Sequence, residues 1–181
     1  MWEVNPDFRL LVFLRNPIDR SYSQWKMSRF IKKYERLSFC EVVQQEILRI
    51  YDADAIEAFK SCKETEGISN WREGYVLKSI YADSLDSLYN YFPRSQILVL
   101  ISEEVWDKPV SAYQKMFEFL GVEDLAMKFE RHFSSPPTSP MPGGMRNMLA
   151  EFFRPSVNRL CERMGRRVSE WRDFTDADYS D

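Results

Sequence analysis

The chain has 181 residues, 44% of them hydrophobic and 15% aromatic, enough apolar material for one globular domain with a core. A formal charge of −3 leaves no sequence-wide basic field for nucleic acid or an anionic membrane, so any anion site has to be local. Cys40, Cys62 and Cys161 form no CxxC pair and His132 is the single histidine, which argues against a disulfide framework and a metal centre; no apolar run reaches the roughly 20 residues that cross a bilayer.

Phe8 to Leu14 is an almost continuous apolar run, the pattern of a strand buried on both faces of a parallel sheet. It stops at Arg15-Asn16-Pro17, where Asn16 suits a helix cap and Pro17 the first helical position, predicting a helix from about Pro17 to Phe30. Ser38-Phe39-Cys40-Glu41 has capping-box spacing ahead of Val42, Val43, Ile47 and Leu48, so a second helix starts there. The stretch from Asp52 to Glu73 has no clear period.

Leu77, Ile80, Tyr81, Leu85, Leu88 and Tyr89 recur at helical steps, which predicts an amphipathic helix from Val76 to Tyr91 that ends at Phe92-Pro93. Ile97 to Ile101 reads as a second buried strand, followed by Ser102-Glu103-Glu104 and a helix from Pro109 to Leu120 that closes on Gly121. Ser134 to Gly144, with four prolines and two glycines, reads as loop. The last helix is expected from Met145 to Met164, interrupted at Arg154-Pro155 and stopped by Gly165.

Strands alternating with helices predict an α/β layer architecture in a single domain over 1–181. Two strands are few for a sheet covered by helices, so strands upstream of Met1 are expected to be missing from this chain.

The chemistry concentrates in Arg15-Asn16-Pro17-Ile18-Asp19-Arg20-Ser21-Tyr22-Ser23, where a strand gives way to a helix. Ligands of open α/β sheets bind beyond the strand C-termini, and a helix start offers free N–H groups and partial positive charge. At about 100° per residue, Asn16, Arg20 and Ser23 fall within roughly 60° of one another on a helix, and Arg15 adds a second guanidinium at the strand end. Two arginine forks and a hydroxyl are the donors that a phosphate dianion takes.

This segment resembles the strand-RNPxxRxxS-helix motif of the sulfotransferases that use 3′-phosphoadenosine 5′-phosphosulfate (PAPS), in particular the heparan-sulfate-type and bacterial carbohydrate branches. The resemblance implies a P-loop-NTPase-like sulfotransferase fold, a parallel sheet flanked by helices. It places the donor's 3′-phosphate on Arg15 and Ser23, eight residues apart. It extends through Ile80 to Leu85, Tyr91 to Leu100, Phe117 to Gly121 and Phe152 to Pro155, and puts Tyr81 where the family has a tyrosine near donor or substrate.

Other parts of the family pattern have no counterpart. No lysine-bearing glycine loop is present, so the strand and loop that hold the 5′-phosphosulfate are expected to be missing, the catalytic residues are unknown, and residues 1–181 alone are expected to turn over little. The late loop near Ser134-Ser135-Pro136 carries no Lys-Gly-Arg stretch, and Arg146 is the candidate to replace it. Phe129, Phe133 and Trp71 are the aromatics considered for adenine; His132 reads as a surface residue, and Glu103 and Glu104 as structural.

The implied function is sulfuryl transfer from PAPS to a hydroxyl or amine of a carbohydrate-like acceptor, with Arg15, Ser23, Arg20, Tyr81 and Arg146 on the nucleotide and no metal. The alternative is an inactive nucleotide-binding or interaction module of the same fold; a nucleotide kinase is disfavoured because no magnesium-binding aspartate follows a strand. Neither nucleic acid nor a membrane segment is expected, and the resemblance implies the Golgi lumen for a eukaryotic source and the cytoplasm for a bacterial one.

Overall fold

The computed structural model describes residues 7–51, 74–123 and 140–175. Trp71, Phe129, His132, Phe133 and the segments 52–73 and 124–139, with the expectations attached to them, lie outside the described residues. The chain gathers into two compact units, one of Met1–Asn16, Tyr81–Ser134 and Ala150–Asp181, the other of Pro17–Ile80 and Ser135–Leu149.

The first unit is built on two parallel strands, β1 (Leu10–Leu14) and β2 (Ile97–Ile101), in register from Leu10 opposite Ile97 to Leu14 opposite Ile101. Both are runs of branched and apolar side chains, which suit a pleated, covered surface. The expectation of burial on both faces holds only in part for β1. Leu14 is buried, but Phe13 is 52% exposed, because the sheet has two strands among the described residues and its helices cover only some of it.

The helices of this unit are α3 (Tyr81–Tyr91), α4 (Ser102–Asp107), α5 (Pro109–Leu120) and the greater part of α6 (Gly143–Met164). α5 starts on Pro109 and ends at Gly121, whose φ of +70° lets the Val122 amide reach back to the Phe117 carbonyl, as its sequence predicts. Ala82, Leu85, Ile97, Leu100, Ile101, Met116, Phe153, Leu160 and Trp171 form the core.

Three points differ from the sequence reading, the first being the start of α6, where Gly143 and Gly144, read as the end of a loop, already belong to the helix. Val76 to Tyr91 is not one helix: a 3₁₀ turn over Leu77–Ser79 is followed by Ile80 at φ −84°, ψ 84°, outside helical space. Ser79 explains the break, since its hydroxyl takes the Tyr75 carbonyl at 3.0 Å and its amide turns to Val76 instead. α6, in contrast, runs straight through Pro155, where an interruption is predicted. The proline is exposed, while Ala150 and Phe153 before it and Val157 and Leu160 after it are buried, so packing on both sides holds the helix across the lost N–H.

The second unit carries α1 (Pro17–Lys26), a π-helical turn over Met27–Ile31 and α2 (Phe39–Ile50). Ser38 caps α2 in the predicted capping box: its hydroxyl accepts from the Glu41 amide at 3.3 Å, and the Glu41 carboxylate accepts from the Ser38 amide at 2.7 Å. The core is aromatic, with Tyr22 stacked on Trp25 at 5.5 Å and Phe39 edge-on to Tyr22 at 4.9 Å.

Candidate functional site

In the first unit the end of β1 is clamped by residues distant in sequence. The Glu103 carboxylate, at the start of α4, accepts from the Asn16 amide at 2.9 Å and from the Trp171 indole N–H at 3.2 Å. Asn16, 3% exposed, donates through its side chain to Asp173 at 2.9 Å. The Tyr81 hydroxyl, on α3, donates to the Arg15 carbonyl at 3.0 Å, and its ring lies 6.3 Å from that of Trp171. A buried backbone group without a partner is costly, so these bonds fix where β1 stops and the backbone from which the Arg15 side chain leaves.

That side chain differs from other arginines of the same unit. Arg163 pairs with Asp86 at 2.6 Å and Arg166 with Glu104, whereas the Arg15 guanidinium lies over the Trp106 ring, 5.0 Å from its centroid. Its Nε is buried without a hydrogen-bond partner among the described residues. A donor left so costs about 1–3 kcal/mol, more on a charged group, and an anion's oxygen can relieve it. This is the observation by which the site fits a phosphate.

The second unit holds the remainder of the motif. Arg20 donates to the Tyr75 carbonyl and the Ser79 hydroxyl, each at 3.1 Å. Ser21, fully buried, shares the same carbonyl at 2.7 Å and meets the Ser79 hydroxyl at 2.8 Å. Glu46 secures that corner by accepting from the amides of Tyr75, Val76 and Leu77 at 2.7, 2.6 and 3.3 Å. Burial pushes its carboxyl above the ordinary range, against the pull of those amides. Asp19 takes Arg146 at 2.8 Å, and Ser23 is half-buried on α1.

Of the residues singled out from sequence, Arg15 and Tyr81 are thus brought together in one unit, and Arg20, Ser23 and Arg146 belong to the other. Trp106, Trp171 and Asp173 escaped the sequence reading. Asn16 and Asp173 are 157 residues apart, beyond the reach of any periodicity, and an exposed tryptophan in the short Ser102–Asp107 segment carries no local signature. Glu103 was read as structural, and its two bonds place it in the clamp.

Comparison with known proteins adds to this geometry. A family model described as a sulfotransferase domain matches residues 3–141. Carbohydrate sulfotransferase 15 of Homo sapiens is 25% identical over 179 residues, covering 92% of this chain and 32% of its own; the Mus musculus protein is 24% identical with the same coverage. A sulfotransferase from Alicyclobacillus acidocaldarius, known from a crystal structure, superposes with a TM-score of 0.67 at 26% identity, over 95% of this chain and 60% of its own. The chain therefore spans about a third of the length of the mammalian relatives.

Proposed function

Because the chain belongs to the sulfotransferase domain family, we propose that it forms the nucleotide-holding part of an enzyme that moves a sulfuryl group from PAPS to a hydroxyl or amine of a carbohydrate. The buried, unpartnered Nε of Arg15 at the end of β1 carries this reading. When bound, PAPS supplies the sulfuryl group; the residues of this chain bind and orient its adenosine end. Arg15 and Ser23 are assigned to the 3′-phosphate, on the strength of the strand-turn-helix motif they occupy. Tyr81 supports Arg15 by donating to its carbonyl. Arg20 and Arg146 join only by giving up Tyr75, Ser79 and Asp19, so the weight of the assignment rests on the first pair. No metal takes part in this scheme.

The discriminating ligands are adenosine 3′,5′-bisphosphate and 5′-AMP, which differ only in the 3′-phosphate. In calorimetric titrations of the purified protein, Arg15→Ala and Ser23→Ala should each weaken the bisphosphate about tenfold or more, as expected for a charge-assisted bond, and leave 5′-AMP nearly unchanged. Equal losses for the two nucleotides would contradict the assignment. A second reading, a nucleotide-binding module that performs no transfer, draws on the lack of a lysine-bearing glycine loop in these 181 residues. Since residues 1–181 alone are expected to turn over little, the two are separated by the reading frame upstream of Met1 and by labelled-sulfate transfer from PAPS assayed with that frame included: a strand, a glycine loop with a lysine and measurable transfer favour the enzyme.

A further inference from the structure

We propose that Trp106 is a positioning residue that holds the Arg15 guanidinium in the orientation a 3′-phosphate needs, an inference that rests on the nucleotide reading above. The clamp through Tyr81 and Glu103 fixes only the backbone at the root of a long, flexible side chain. Something else must hold its charged end. The indole does so, with the guanidinium carbon 5.0 Å from the ring centroid.

The chemistry of the support matters as much as its position. A carboxylate would occupy the N–H fork and cancel the charge, as Asp19 does for Arg146 and Asp86 for Arg163. An aromatic face takes the flat side of the guanidinium and leaves the in-plane N–H groups directed at an anion. Arg15 is braced and yet uncommitted: the buried Nε has no partner among the described residues, and no carboxylate pairs with the group there. Trp106 itself is 49% exposed on a six-residue helix, so its ring is not a core element.

The test compares the preference for adenosine 3′,5′-bisphosphate over 5′-AMP in the wild-type chain, Trp106→Leu, Trp106→Phe, Arg15→Ala and the double variant Arg15→Ala/Trp106→Leu. Trp106→Leu should cut the preference about fivefold, the size of a partly desolvated cation–π contact, and Trp106→Phe, which keeps a ring, should restore most of it. In the Arg15→Ala background the leucine should change nothing further, which a general loss of structure cannot reproduce. Trp106→Gln offers the same comparison should the leucine variant prove insoluble. If Arg15→Ala removes the preference while the leucine and glutamine variants keep it, the role of Trp106 is overturned and the nucleotide assignment stands. A wild-type protein with no preference sinks both.

Discussion

Glu103 gathers two donors that neither strand nor helix supplies with an acceptor, the Asn16 amide and the Trp171 indole. Removing the carboxylate leaves both without this partner, each on a residue that is almost wholly buried. Glu103→Ala should therefore lower stability by about 2 kcal/mol, read as a shift of the urea midpoint at unchanged slope. A change below about 0.5 kcal/mol would mean that water replaces the carboxylate at no cost. At this scale the sequence was informative where chemistry is local. Arg15 and Ser23 stand out because a strand end, a proline at the first helical position and an arginine-serine spacing occupy nine consecutive residues. Of the partners of Arg15, Tyr81 was singled out through the family resemblance and not as a partner of Arg15, and Trp106 did not stand out at all, since both come to it through tertiary folding.

Pro155 is the point at which an element departs most from its own sequence. It denies the Glu151 carbonyl an intrahelical N–H, yet α6 continues because the buried residues around it outweigh the loss. The proline side chain is exposed, so Pro155→Ala restores the hydrogen bond without disturbing packing and should raise the melting free energy by about 1–3 kcal/mol. Unchanged or lowered thermal stability would show that the helix here draws on the rigidity of the ring. The capping box of α2 and the glycine that ends α5 were readable in advance, because each lies within a few residues of the end it forms. The break at Ile80 was not, since the periodicity of Leu77, Ile80 and Tyr81 is helical and only the Ser79 hydroxyl, turned back onto Tyr75, diverts the chain.

Across the whole molecule the balance of charge is slightly acidic, so the nucleotide site proposed here depends on cations placed by the fold and not on a general field. The α/β class and the parallel pairing of its strands followed from two apolar runs separated by helical stretches. How deeply each strand is covered did not, because burial is a property of neighbours. That point bears on how the protein behaves in the tube. β1 offers one long side without a ladder partner among the described residues, and the ring of Phe13 on the same strand is half-bare. A strand edge open to pairing, with an oily ring on the strand, is an invitation to the backbone of another molecule, so concentrated solutions should cloud through this strand first. Phe13→Lys should delay the onset of light scattering on warming and leave the melting midpoint within about 1 °C, given that surface changes away from special features are nearly neutral. Were scattering unaltered by the lysine, the stickiness of the molecule would have to be sought on another face.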